Sequence, residues 1–319
     1  MASFVFWREP AVPGRTPDDL HSLLLNEVHI APESTCRGSV ETTSGRWHFV
    51  AFATRTHFYS TNQQLWQQPG QGVCVIHGLI WRIVSGQPVL LDAAAVAQLL
   101  DDPAASWPDD IAGEYAVARL HPDGTLTGFS DQAGLHQLFH GPAETPVLTN
   151  RAGLAAAVLG DRTADPSSLT WLAAIGYRVG TATAYRAVTQ LAQEQVLSFG
   201  PDGMASRPSA APIVRFEEDR GWSPALDALL AEGIAQAQAA IQLGIAAEGP
   251  IDLPITGGKD SRVILALCLA SGLKHRLRLF TRGYAGHPDV IAGAGIAAAL
   301  GLPHRREPPH GSDEPAHWT

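Results

Sequence analysis

Through the first 150 residues, apolar positions alternate with polar ones or run in short blocks bounded by glycine, proline and aspartate. Trp47-His48-Phe49-Val50-Ala51-Phe52, Val73-Cys74-Val75-Ile76, Leu79-Ile80-Trp81-Arg82-Ile83 and Tyr115-Ala116-Val117-Ala118-Arg119-Leu120 predict strands, since short β-branched and aromatic runs between turn residues suit a pleated, half-buried surface. Pro122-Asp123-Gly124 predicts a hairpin turn joining the last of them to Leu126-Thr127-Gly128-Phe129. Asp92 followed by Ala93-Ala94-Ala95-Val96-Ala97-Gln98-Leu99-Leu100 offers an N-cap and a helical apolar face. Sheets with helices packed on them are expected.

The period changes past residue 200. Pro201 to Arg215 carry Pro201, Pro208 and Pro212 with no apolar period, which predicts a linker at 201–215 between domains at 1–205 and 216–319. Ser223-Pro224 reads as cap and first turn of a helix with Leu226, Leu229, Leu230, Ile234, Ala237 and Ile241 on one face. Then come a strand, Ile251-Asp252-Leu253-Pro254-Ile255, a turn, Thr256-Gly257-Gly258-Lys259-Asp260-Ser261, and a helix from Arg262 to Ser271. Leu277-Arg278-Leu279-Phe280-Thr281 predicts a second buried strand ending at Arg282-Gly283. Pro288-Asp289 opens a helix with Ile291, Ile296, Ala297 and Leu300 inward, closed by Gly301. This rhythm predicts a parallel sheet whose ligand site lies at the carboxyl ends of its strands, with Thr281–Gly283 beside the Thr256 loop.

Composition narrows the function classes. The chain has 319 residues, with 22 Lys and Arg against 31 Asp and Glu, a net charge of −9. That length suits about two domains, and the balance is opposite to the basic footprint of a nucleic-acid binder. With 45% hydrophobic and 17% charged residues it can bury a core. Met1 to Pro10 lack a basic leader followed by an apolar run, and no later segment reads as a membrane span, so a cytoplasmic location without membrane or nucleic-acid partner is expected. Cys36, Cys74 and Cys268, odd in number and far apart, read as reduced structural thiols.

The candidate chemistry lies at 256–261. Two glycines let the backbone turn tightly and bring N–H groups against an anion, and the following helix start adds unpaired donors. Thr256 and Ser261 add hydroxyls. Asp260 would repel a bare phosphate, and so fits a Mg²⁺ that bridges to the phosphates. A Walker A loop needs Ser or Thr directly after the lysine, where this chain has Asp260. The better match is the Ser/Thr-Gly-Gly-x-Asp-Ser loop of enzymes that cleave ATP to AMP and pyrophosphate. The plainer alternative is a strand-to-helix turn with Asp260 capping the helix.

On these residues the chain resembles the glutamine-dependent asparagine synthetases and their relatives, the β-lactam synthetases and lasso-peptide cyclases. Thr256–Ser261 matches their pyrophosphate loop. Phe280, Gly283, Gly286, Pro288-Asp289, Ala292, Ala297, Leu300-Gly301 and His304 resemble their next strand and helix in spacing. Earlier, Cys74-Val75-Ile76-His77-Gly78-Leu79-Ile80, Ala112-Gly113-Glu114-Tyr115-Ala116, Ser130-Asp131-Gln132-Ala133-Gly134 and Val179-Gly180-Thr181-Ala182-Thr183 resemble, in order, segments of their glutaminase domain. The resemblance implies an α+β N-terminal Ntn-type αββα sandwich followed by an α/β parallel-sheet ATP-pyrophosphatase (PP-loop) domain. It further implies an ATP-binding set of Ile255, Thr256, Gly257, Gly258, Asp260, Ser261, Arg282 and Gly283, with Ile255 and Arg282 on the adenine and ribose side and Asp260 at Mg²⁺. ATP and Mg²⁺ are the implied cofactors, and amide formation between a small-molecule or peptide carboxylate and an amine the implied reaction.

Two departures shape that expectation. The family's glutaminase nucleophile is a cysteine directly after the initiator methionine, where this chain has Ala2, and His77 stands where an oxyanion-stabilising asparagine is found. No glutamine hydrolysis is therefore expected. Synthetase domains of the family also extend far beyond residues 216–319, so a second acidic Mg²⁺ site and an amide-forming lysine are expected from a missing C-terminal half or a partner chain. The alternative is an inactive or truncated relative that binds nucleotide or a partner protein without turnover. His136 and His140 have zinc-like spacing but no partners in sequence, His304, His310 and His317 read as a solvated tail, and Lys259 reads as solvent-pointing as readily as phosphate-neutralising. Glu114 and Asp123 read as strand-end and turn residues.

Overall fold

Strand β1 (Ala2–Arg8) sends Phe4 and Phe6 into one apolar cluster and Val5 and Trp7 into another, so both faces of its sheet are covered. The computed structural model describes residues 2–9, 16–28, 31–56, 58–85, 87–102, 111–209, 224–244, 249–309 and 317–318. The chain divides into two units, Met1–Val214 and Arg215–Thr319.

In the first unit β1 is followed by α1 (Pro17–Leu25), β2 (Ser34–Thr42), β3 (Gly45–Ala53), β4 (Leu65–Gln68), β5 (Gly72–Val84), β6 (Gln87–Leu90), α2 (Ala93–Asp101), β7 (Ala112–Leu120) and β8 (Leu126–Ser130). Then come β9 (Phe139–His140), β10 (Val147–Thr149), α3 (Ala152–Leu159), α4 (Pro166–Ile175), β11 (Thr189–Gln190), β12 (Gln195–Gly200) and β13 (Gly203–Pro208). One antiparallel sheet has the order β11-β9-β10-β1-β3-β2 and the other β13-β12-β8-β7-β5-β4, with β6 on β5. Phe4, Phe6, Phe49, Val73, Val75, Ala116, Ala118 and Phe199 fill the space between them. Residues of α1 and α3 pack with the outer face of the first sheet, and those of α2 with that of the second. The layering is helix, sheet, sheet, helix. Asp92 caps α2 by accepting from Ala95 N at 2.9 Å, and Gly124 turns the β7–β8 hairpin at φ 86°.

Two sequence expectations change here. The two runs at 73–76 and 79–83 are one strand, β5, in which Gly78 takes φ 90° beside the Glu114 carbonyl. Residues 203–208, read as linker, are β13, because the Pro201-Asp202 turn closes a hairpin back onto β12. Residues 210–215 of that linker, with Pro212, lie outside the described residues. His136 sits in a turn and His140 in β9, the strand-and-turn setting that the resemblance implies for them.

The second unit runs α5 (Pro224–Gly244), β14 (Ile251–Pro254), α6 (Lys259–Ala270), β15 (Leu277–Arg282), α7 (Pro288–Leu300), β16 (His304–Glu307) and β17 (His317–Trp318). β14, β15 and β16 are parallel neighbours and β17 pairs antiparallel with β16. Ile255, Leu265, Cys268, Leu277, Leu279, Ala297 and Leu302 form its core. Ile291 is not inward but 62% exposed, because α7 seats through Val290, Gly293 and Ala297, a stripe that leaves Ile291 turned away. Leu226, Leu229, Leu230 and Ile234 of α5 are also exposed. No helix among the described residues is long and apolar enough to cross a membrane.

Candidate functional site

The loop after β14 begins at Ile255, which is fully buried and whose N–H donates to Phe280 O at 2.8 Å. Its side chain packs in the core, so Ile255 anchors the loop. Thr256 N donates to Ser261 Oγ, and the two hydroxyls lie 3.2 Å apart. Gly258 N donates to Thr256 Oγ1 at 3.1 Å and Gly257 N to Asp289 Oδ1 at 3.0 Å. The result is a tight turn whose two hydroxyls face each other across five residues.

Gly258 is the N-cap of α6 and provides no side-chain cap. Asp260 lies in the first turn rather than at the cap, so the reading of it as a capping residue does not hold. Lys259 and Asp260 are exposed, and neither has a hydrogen-bond or ion-pair partner among the described residues. An exposed carboxylate in the first turn of a helix is favourably placed with respect to the helix dipole. It is available to a cation.

β15 ends next to this loop. Arg282 is exposed and pairs with Glu307 Oε2 at 3.0 Å, and Gly283 takes φ 155°, with its N–H donating to Glu307 O at 2.8 Å. Thr281, Arg282 and Gly283 thus lie on the strand adjoining β14, but the Arg282 guanidinium is engaged with the start of the neighbouring strand's exit rather than with the loop. In sequence Asp289 marked only a helix start, and His304 read as part of a solvated tail; that reading of His304 does not hold, because it opens β16 and is buried against α7. The structure puts Asp289 on a loop amide and His304 beneath the loop, 3.0 Å from Thr281 Oγ1. The Pro288-Asp289 start of a helix was the available signal for the first; nothing local in sequence marks the second.

A separate polar cluster surrounds Ala2 in the first unit. Ala2 is fully buried, and its carbonyl accepts from His77 Nδ1 at 2.5 Å and Asn150 Nδ2 at 2.9 Å. Asn150 Oδ1 accepts from Phe4 N at 2.9 Å. Since a carbonyl can only accept, Nδ1 of His77 carries the proton in the neutral ring. Burial first, then the neighbouring His136, pushes the His77 pKa down to about 4. The His136 ring stands edge-on at 4.5 Å between centroids. The side chain of residue 2 is thus a methyl, and the one N–H of neutral His77 is directed at backbone.

Two cavities flank this cluster. One of about 330 Å³ is bordered by Ala2, Cys36, Asn62 and Gln67, and one of about 500 Å³ by Glu33, Arg55, Phe58, Gly78 and Glu114. Arg55, Asn150 and the cavities were not singled out from sequence, because they come together from separate strands and loops. The Cys74 thiol is pushed up to about 12, chiefly by burial, so this cysteine is inert packing.

Comparison with models of known protein families and with curated proteins gives no match. Among solved structures, the chain is similar to glutamine phosphoribosylpyrophosphate (PRPP) amidotransferase from B. subtilis, complexed with ADP and GMP. That similarity has 12% identity and a TM-score of 0.41 over 95% of this chain and 65% of that one. It is also similar to a structure described as the allosteric regulatory enzyme of purine biosynthesis, at 13% identity and a TM-score of 0.40 over 88% of this chain and 65% of that one. The chain therefore spans just under two thirds of the length of these structures.

Proposed function

We propose that this chain belongs to an ATP-dependent amide-forming enzyme of the asparagine synthetase type, without glutaminase activity. The observation that carries the reading is the loop from Thr256 to Ser261: a glycine turn at the carboxyl end of a parallel strand, opening a helix with no side-chain cap and presenting two hydroxyls. Phosphate oxygens suit such a turn, since helix-start amides and hydroxyls donate to them. Gly257 N already donates to the Asp289 carboxylate, an anionic oxygen of the kind a phosphate would present. The residues also fit Mg²⁺, a hard cation usually held by one or two carboxylates, phosphate oxygens and waters. Asp260, exposed and unpartnered among the described residues, would hold it, and its charge would screen the phosphates from that carboxylate. ATP supplies carboxylate activation with release of pyrophosphate, after which an amine displaces AMP. In this reading the chain's own part is positioning and electrostatics. The carboxylate is a small molecule or peptide, and a C-terminal continuation or partner chain supplies the remaining groups.

Absence of glutamine hydrolysis is supported by Ala2 and by the His77 N–H directed at Ala2 O. The amine then comes from the substrate itself. A second reading, nucleotide binding without turnover, uses the same loop and needs no further catalytic group. Pyrophosphate release separates the two. With ATP, Mg²⁺ and a panel of amino-carboxylate compounds, the proposed function requires substrate-dependent release of pyrophosphate and AMP, abolished in Asp260→Ala. Nucleotide binding with no release under any substrate would leave the binding-only reading.

A further inference from the structure

Beneath the loop, in the core of the second unit, lies a short polar chain that no packing requirement explains. Thr281, on β15, is 2% exposed, and His304, at the start of β16, is 3% exposed. Thr281 Oγ1 lies 2.5 Å from Ile255 O and 3.0 Å from His304 Nε2. A threonine hydroxyl has one proton to give. The Ile255 carbonyl can only accept, so that proton goes to it. His304 Nε2 must then carry a proton and donate to Thr281. The opposite tautomer would leave one hydroxyl proton facing two acceptors in a dry interior, where an unmatched polar group is costly. Burial holds His304 below the usual histidine range, which keeps this ring neutral.

The direction of this relay matters for the loop. The Ile255 carbonyl and the Thr256 N–H belong to one rigid peptide plane. Thr281 holds its oxygen from below, and Ser261 Oγ accepts from its N–H at 3.2 Å from the loop side. That plane is the hinge between β14 and the glycine turn. The close seating of α7 supports the arrangement: a Cβ at Gly293 would overlap Thr281 Oγ1 and lie 3.1 Å from Ile255 Cγ2 and 3.2 Å from His304 Nε2. Only glycine lets the helix close over the pair.

We propose that His304 and Thr281 are positioning residues for the phosphate-binding loop, acting through the Ile255–Thr256 peptide to set the Thr256 and Ser261 hydroxyls and the turn that they close. The assignment rests on the reading of that loop as a nucleotide site. Neither side chain touches the ligand in this scheme, so both affect affinity and orientation while taking no part in bond making.

The test uses four substitutions in the full chain: Thr281→Val and His304→Leu, which remove a donor at similar volume, and Thr281→Ser and His304→Gln, which keep one. Amide hydrogen exchange over 256–261 is read without ligand, and the dissociation constant of ATP·Mg²⁺ by calorimetry. Loss of one buried, aligned hydrogen bond is expected to raise loop exchange and weaken ATP·Mg²⁺ binding by about tenfold in Val and Leu, with Ser and Gln within about twofold of the parent. A merely structural role would lower the melting temperature without loop-specific exchange and without rescue by the conservative variants. Loop exchange and affinity unchanged in Thr281→Val overturn the proposal, as does failure of Ser and Gln to restore them. Should His304→Leu not fold, the near-isosteric Thr281 pair decides alone. If the parent chain binds no ATP·Mg²⁺, the nucleotide reading fails by itself, and the exchange arm still decides whether the relay sets the loop.

Discussion

At the scale of single residues, His77 couples the Ala2 cluster to pH. Its pKa is about 4 in the folded chain, chiefly through burial, against about 6.5 for an unperturbed histidine. Above that ordinary value neither folded nor unfolded chain binds the proton, and His77 leaves stability unchanged. As pH falls through the window between the two values, the unfolded chain takes the proton and the folded chain does not, so stability drops; below about 4 both hold it and the loss levels off. The full span corresponds to at most about 3.4 kcal/mol. His77→Asn, which keeps a side-chain N–H for Ala2 O, should remove this share of the acid-side loss. Urea midpoints at pH 7 and pH 4.5 check it: the parent must lose more stability than the variant over that interval. Ala2 and His77 were legible in the sequence as positions of interest, because the resemblance fixes which positions to inspect and the residue there is read directly. The tautomer of His77 and the contribution of Asn150 were not, since both depend on the Ala2 carbonyl, 75 and 148 residues away in sequence.

At the scale of elements, α7 carries a contrast that isolates packing from helix propensity. Alanine exceeds glycine in a helix interior by about 1 kcal/mol. Gly295 has nothing within 4 Å of the place a Cβ would occupy, whereas at Gly293 it would overlap Thr281. Gly295→Ala is expected to raise stability by about that amount, while Gly293→Ala lowers it by about 1–3 kcal/mol through overpacking. Thermal unfolding of the two variants gives opposite signs if α7 is seated as described, and the same sign if it is not. The strand–turn–helix order from β14 through α7 was readable because hydrophobic period, glycine turn and Pro at the helix start all agree. The inward set was less so: α7 is apolar nearly all round, and a helix of that kind does not announce which face it buries, so Ile291 was assigned inward and stands exposed. The proline-rich start of the expected linker misled for a related reason. Pro201 lies in the turn of a two-strand hairpin and Pro208 at the end of its second strand, since proline is tolerated at turns and strand ends.

At the scale of the whole molecule, each unit has its own core: three apolar clusters in Met1–Val214, one in Arg215–Thr319. Their candidate chemistries differ in kind. In the first unit, an alanine methyl and a histidine turned toward backbone stand among strands that enclose cavities; in the second, a hydroxyl-lined turn opens a helix at the end of a parallel strand. Composition bounded this much: an acidic, folded chain of about two domains with no basic footprint for nucleic acid. Burial at the level of helices was not legible. Leu226, Leu229, Leu230 and Ile234 on α5 are all more than two fifths exposed, although their spacing alone puts them on one apolar face. Periodicity reports which residues share a face; it does not report whether that face meets a neighbour.

The claim on which the account turns is that the Thr256–Ser261 loop binds a nucleotide polyphosphate together with Mg²⁺. The most direct measurement is calorimetric titration of the full chain with ATP, with and without Mg²⁺, beside Asp260→Ala. The account predicts saturable binding that requires Mg²⁺ in the parent and weakens by tenfold or more (about 1.4 kcal/mol) in the variant. Binding that is indifferent to Mg²⁺ and to Asp260, or no binding by the folded chain, would contradict it.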